Sequence, residues 1–148
     1  MTNLDRDLFL DYNTYLDETT GTGFGFGTEL SSPSMHAKTL ELLKPYIKPD
    51  SKILDVGCGV GYLTICLAMM IGKNGSVVGV DHVDEILSFT RNIVLEHYID
   101  LFYSGKLRFY DGDARQGMPF LAPYNIIHVG VAVNDSVPEA LMSQLAVG

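Results

Sequence analysis

Basic residues are scarce in this 148-residue chain: 10 Lys and Arg stand against 18 Asp and Glu, for a net charge of −8. Polyanions such as DNA or RNA are repelled on average, because nucleic-acid affinity comes largely from Lys and Arg neutralising phosphates. Cysteine is scarcer still. Cys58 and Cys66 stand eight positions apart, which makes neither a Cys-x-x-Cys redox pair nor half of a zinc site, so both read as reduced structural thiols. The four histidines, at 36, 82, 97 and 128, lack metal-ligand spacing, and no metal is expected. No apolar run is long enough to span a bilayer, and the opening Met-Thr-Asn-Leu-Asp-Arg-Asp has neither the basic start nor the apolar stretch of a signal peptide. A cytoplasmic protein with no membrane partner is the default. Linkers, charge blocks and internal repeats are missing too, so the 47% hydrophobic content is read as serving one packed core.

What is present alternates. Residues 1–30 are polar and end in Gly21-Thr-Gly-Phe-Gly-Phe-Gly27, where alternate glycines prevent a helix and leave a mobile backbone pinned at Phe24 and Phe26. A helix is expected over 33–44, with Ser32 as N-cap and Pro33 at the first helical position. Strands follow at 52–56, 76–80, 107–110 and 125–131. Helices are expected at 62–71, 83–97 and 138–145; the second aligns Val83, Ile86, Leu87, Thr90, Ile93, Val94 and His97, the mostly apolar stripe of a helix packed on a sheet. Such alternation predicts an α/β fold, doubly wound and Rossmann-like, with helices on both faces of a parallel sheet. Ligands of these sheets lie at the carboxyl ends of the strands.

The strongest local signal is Asp55-Val-Gly-Cys-Gly-Val-Gly61, where a first strand turns into a helix. Glycines at 57, 59 and 61 let a ligand lie on the backbone. Their Gly-x-Gly-x-Gly spacing is not the Gly-x-Gly-x-x-Gly of a dinucleotide loop, and no Gly-Lys-Ser/Thr follows. Asp55, ending an apolar strand, suits a cationic amino-acid ligand. Asp81 ends the second strand, where an acid hydrogen-bonds a ribose hydroxyl in doubly wound folds. Asp113 follows the third strand. Three carboxylates beside a glycine bend would make one acidic site fitted to S-adenosyl-L-methionine, with its sulfonium, ammonium, ribose diol and adenine amino group.

These residues carry a resemblance. Asp55 to Thr64 looks like the first motif of S-adenosylmethionine-dependent methyltransferases, and Val78-Gly-Val-Asp-His82 like the second-strand signature. Phe26-Gly-Thr-Glu-Leu-Ser-Ser-Pro-Ser-Met-His-Ala37 and Asn125-Ile-Ile-His-Val-Gly130 with Val137-Pro-Glu-Ala-Leu141 resemble the protein-L-isoaspartate O-methyltransferase family, over nearly the whole chain. The resemblance implies methylation of L-isoaspartyl carboxyl groups in damaged proteins and peptides, with D-aspartyl groups as a further family substrate, in a monomer. It also implies Ser31 as the active-site serine and Thr28, Glu29, Leu30, Ser31 and His36 lining cofactor and substrate. Val60, Asp81, His82, Asp113 and Ala114 fall on cofactor positions, beside Asp55, Gly57 and Gly59. His128 reads as a strand residue, and Tyr62 and Met35 as packing.

The chain departs from the family pattern at Ser34, where His is usual. It departs again over Val131-Ala-Val-Asn-Asp-Ser136, one residue longer than the family's equivalent and lacking its Pro. The family also implies further strands after Gly148, so the chain reads as a member cut short at its C-terminal end, with an arm and glycine-rich loop at 1–30 and the cofactor domain at 31–148. Two rival readings are a nicotinamide-dependent oxidoreductase, disfavoured by the glycine spacing, and a non-catalytic S-adenosylmethionine-binding or interaction protein of the same fold.

Overall fold

The computed structural model describes residues 4–10, 14–25, 27–133 and 136–147. Its centre is a parallel sheet of β3 (Lys52–Val56), β4 (Ser76–Asp81), β5 (Leu107–Asp111) and β6 (Ile126–Val129), in the order β5-β4-β3-β6. The chain steps outward from β3 to β5, then returns to pair β6 with the other side of β3, in register Ile53 to Ile126 and Val56 to Val129. The order reverses between β3 and β6, and the crevice of a doubly wound sheet opens at such a reversal.

Both faces of the strands are apolar because both are covered. One face (Ile53, Val77, Leu107, Ile126) packs under α2 (Tyr62–Met70), α3 (Asp84–His97) and Leu40 of α1 (Pro33–Leu43). The opposite face (Leu54, Val56, Val78, Val80) meets Met118, Tyr124 and Leu141, the last from the four-residue α5 (Glu139–Met142). Helices thus lie on both faces, but the long ones share one. α2 is buried on all sides from Tyr62 to Ala68, which its nearly continuous apolar sequence requires. In α3 the buried residues Ile86, Leu87, Thr90, Ile93 and Val94 follow the expected stripe. Ser32 caps α1 by accepting from the Met35 N–H at 3.3 Å. Among the described residues no helix is long and apolar enough to cross a membrane.

Several elements differ from expectation. The glycine-rich stretch is the turn of a hairpin, with β1 (Thr20–Gly21) antiparallel to β2 (Glu29–Leu30) and Gly23, Gly25 and Gly27 at positive φ. Phe24 packs on Phe89 of α3 with ring centroids 5.0 Å apart; Phe26 lies outside the described residues. The polar arm is not peripheral, since Leu4, Phe9 and Leu10 join the core beneath α2. A short α4 (Ile99–Tyr103) follows α3. The expected 125–131 strand is trimmed at both ends: the Asn125 side chain accepts from the Lys52 N–H at 2.8 Å, and Gly130 N–H closes on the Val56 carbonyl. The expected 138–145 helix stops at Met142 because Tyr124 N–H bonds the Gln144 carbonyl and Ala146 N–H bonds the Tyr124 carbonyl, drawing the chain into a bridge.

Candidate functional site

The glycine bend after β3 is where backbone freedom is used. Gly57, Gly59 and Gly61 have φ of 73°, 52° and 77°, the left-handed region that L side chains avoid. A β-carbon on Gly57 would run into the Val131 side chain, one on Gly61 into Thr90, while the space over Gly59 is open. The bend is therefore clamped from two sides and bare where a ligand could lie.

Two adjoining chambers form around it, of about 230 and 450 Å³. The smaller is lined by Leu30, His36, Asp55, Val60 and His128. The larger is lined by Thr28, Asp81 and His82, and Glu29, Ser31, Met35, Gly57, Gly59, Gly130 and Val131 border both. α1 brings His36, the turn before it brings Ser31, and β2 brings Glu29 and Leu30.

Asp81 is buried and tied to the bend: one carboxylate oxygen accepts from Gly59 N–H at 2.9 Å, the other from His82 and Val83 N–H at 2.8 and 3.2 Å. It thus fixes loop and strand end together and keeps lone-pair capacity toward the larger chamber. Asp55, 1% exposed, is engaged through both oxygens, accepting from Thr64 Oγ1 at 2.6 Å and from His128 Nδ1 at 2.8 Å. Burial pulls the His128 pKa down, but the hydrogen bond to Asp55 and that carboxylate's charge outweigh it and the net shift is upward. Buried Cys58, beside Asp55 and Asp81, has its thiol pushed well up by burial and stays protonated.

Asp113 and Ala114 line neither chamber. The Asp111-Gly-Asp-Ala-Arg turn folds Arg115 back so that its guanidinium meets both Asp113 oxygens, at 2.8 to 3.2 Å. Those hydrogen bonds hold the exposed Asp113 carboxyl below its usual range. Ala114 faces a separate cavity of about 300 Å³ with Val56, Val129 and Leu141. The acidic cluster in the cleft is thus Asp55 and Asp81, with Asp113 committed to a local ion pair.

A model of the protein-L-isoaspartate(D-aspartate) O-methyltransferase family matches residues 1–148. The chain belongs to that family. It is 40% identical over 148 residues to the protein-L-isoaspartate O-methyltransferase of Caenorhabditis elegans, and 41% over 151 residues to that of Triticum aestivum. Each alignment covers all of this chain and 64% of the relative, so the chain spans less than two thirds of the length of these curated relatives. A crystal structure of the Plasmodium falciparum relative, in complex with S-adenosyl-L-homocysteine, superposes with a TM-score of 0.87 at 29% identity, over 98% of this chain and 69% of that one. The parallel sheet is therefore the Rossmann-like sheet of a class I methyltransferase.

Within the isoaspartate methyltransferase frame, four residues matter whose part in the site their sequence setting did not show. Arg6, 2% exposed, reaches under the cleft to donate to the Ser31 carbonyl at 2.9 Å and to His36 Nδ1 at 2.8 Å. Tyr62 is packing, as expected, but it packs the site: its ring stacks on His36 at 4.9 Å and meets Phe9 edge-on at 5.3 Å. His128 and Thr64 satisfy Asp55. The signal for His128 lay in register: parallel pairing sets it beside Asp55. Ser34, where the resemblance led to an expectation of His, lies at the start of α1 with its N–H bonded to Asp17 at 2.9 Å. Val131, in the family-divergent segment, forms the wall opposite Gly57; Asn134 and Asp135 of that segment lie outside the described residues.

Proposed function

We propose that this chain carries the S-adenosyl-L-methionine site and the substrate-facing serine of an enzyme that methylates L-isoaspartyl carboxyl groups in damaged proteins and peptides, in the cytoplasm and as a monomer. The observation that carries the reading is the gathering of Ser31, His36, the Gly57–Gly59 bend with open space over Gly59, and Asp81 around one cleft at the strand-order reversal. Family membership supports it.

The residues present fit that cofactor. A bend with no side chain over Gly59 accepts a flat nucleoside against backbone, and Asp81 beside it is placed to accept from a ribose diol. Asp55 supplies negative charge near the bend for a cationic amino-acid end, with His128 and Thr64 holding its orientation. Val60 borders the smaller chamber and His82 the larger, while Asp113 and Ala114 line neither. When bound, S-adenosyl-L-methionine supplies an activated methyl group on a sulfonium.

The chain's own work is alignment and exclusion of water. A carboxylate with a pKa near about 4 is already ionised at neutral pH, so no general base is required. Ser31, from the turn between β2 and the α1 cap, is placed to orient the carboxylate. The β1–β2 hairpin, held to α3 through Phe24, roofs the larger chamber with Gly27, Thr28 and Glu29.

Incubation with an isoaspartyl peptide and methyl-labelled cofactor, scored as base-labile methanol, tests the reading. Cofactor binding without methanol release would identify a binding protein of the same fold instead. In a turnover-competent protein, Asp81→Ala is expected to weaken cofactor affinity at least about tenfold, the loss of a charged hydrogen-bond partner. Ser31→Ala should lower kcat/KM for the peptide and leave cofactor affinity within about twofold; equal losses would remove the substrate-side role.

A further inference from the structure

Arg6 is a buried cation whose side-chain acceptors among the described residues are all neutral. Its guanidinium donates to the Thr14 carbonyl at 2.6 Å, the Ser31 carbonyl at 2.9 Å and His36 Nδ1 at 2.8 Å, and stands 4.8 Å from the Tyr62 ring centroid. A guanidinium is always protonated and carries only donors, so His36 Nδ1 can only accept. The ring must then be neutral, with its proton on Nε2. Stacking on Tyr62 fixes the ring plane. Nε2 has no protein partner among the described residues. Yet no buried side-chain nitrogen or oxygen there lacks one, so Nε2–H is accessible, and the chamber that His36 lines, together with Ser31 and Gly130, is the smaller one.

We propose that Arg6 is a positioning residue that locks His36 as its Nε2–H tautomer, so that His36 offers the cleft a donor for a ligand carboxylate whose state is constant across neutral pH. The charge pattern favours that chemistry: the cation of Arg6 lies directly against the Ser31 carbonyl and His36, whereas the negative charges around the two chambers come from Asp55, Asp81 and Glu29. The carboxylate is that of the substrate or that of the cofactor's amino-acid end; in this respect the inference rests on the proposed function.

The groups around His36 agree. Burial first, then the Arg6 charge, hold its pKa down to about 4, with Asp55 of β3 pulling upward and His128 of β6 downward. Tyr62 of α2 and Cys66 behind it are pushed by burial to about 12 and about 11, and neither ionises near neutrality. Glu29 of β2 borders the same chamber.

Nitrogen-15 NMR of the imidazoles tests the lock without turnover. Between about pH 5.5 and 8, His36 should show bare Nδ1 and protonated Nε2 with no titration; a proton on Nδ1, or titration near the ordinary value of about 6.5, overturns the proposal. In Arg6→Lys, where a single nitrogen cannot occupy the three separate positions of Nε, Nη1 and Nη2, a tautomer mixture and a returning titration are expected. An unchanged His36 spectrum in the folded variant refutes the role of Arg6. Calorimetry on His36→Phe then separates the two carboxylates. If the cofactor end is held, S-adenosyl-L-homocysteine weakens about tenfold while methylthioadenosine, which has no carboxylate, does not. If the substrate is held, both nucleosides bind as before and an isoaspartyl peptide weakens about tenfold. No loss for either overturns the donor role, whatever the methanol assay reports.

Discussion

Gly57 combines two costs that can be measured separately. Its φ of 73° makes any L residue strained, by about 1–2 kcal/mol, and its missing β-carbon leaves room for Val131. Gly57→Ala should therefore lower stability by at least the backbone cost in urea unfolding. Adding Val131→Ala should recover only the contact part, so the two changes are non-additive. This bend was legible in the sequence because three glycines at alternate positions after an apolar run leave few other conformations. The role of Arg6 was not legible. A lone arginine in a polar, aperiodic stretch reads as solvated, and only the folded arm shows it under the cleft. Asp113 erred the other way: its strand-end position suggested the site, but Arg115, two residues on, captures it.

At the level of elements, α1 holds the site to the core. Its N-cap hydrogen bond from Met35 N–H to Ser32 Oγ sits between Ser31 and His36 in the chain. Ser32→Ala should cost about 1 kcal/mol, seen as a fall in Tm of about 2–4 °C. The strands and long helices were readable because burial on both sheet faces makes strands continuously apolar, while α3, half-exposed, keeps its 3.6-residue stripe. The hairpin β1–β2 was not, since two-residue strands carry no pattern and Gly23, Gly25 and Gly27 turn the chain through positive φ. β6 and α5 were read too long because their ends are set by long-range partners, Lys52 for one and Tyr124 for the other.

For the molecule as a whole, buried His36 and half-buried His128 make stability depend on pH with opposite signs. His36 has its folded pKa depressed to about 4, so the unfolded chain binds the extra proton first. Its stability contribution is intact above the ordinary value of about 6.5 and is lost as pH falls toward 4, on the order of 3 kcal/mol in full. His128 is raised, so what it adds is present below about 6.5 and is lost as pH climbs through its folded value. Chemical denaturation across pH should show the acid-side decline shrink in His36→Gln and the alkaline-side decline shrink in His128→Gln. The α/β class and the cleft's location followed from alternation and strand-end acids. The crowding of α1, α2 and α3 onto one face did not, because a strand that is apolar throughout gives no sign of which face each helix takes.

In the described sheet, β3 and β4 each have strands on both sides, whereas β6 pairs only with β3. Amide deuterium uptake should consequently be slowest in β3 and β4, where exposure requires the whole sheet to open, and faster along β6, which can peel off singly. In this chain the Gly57 lip of the crevice is rooted in a strand paired on both sides and the Gly130–Val131 lip in one with a single described partner, so uptake should differ between the lips in the same sense.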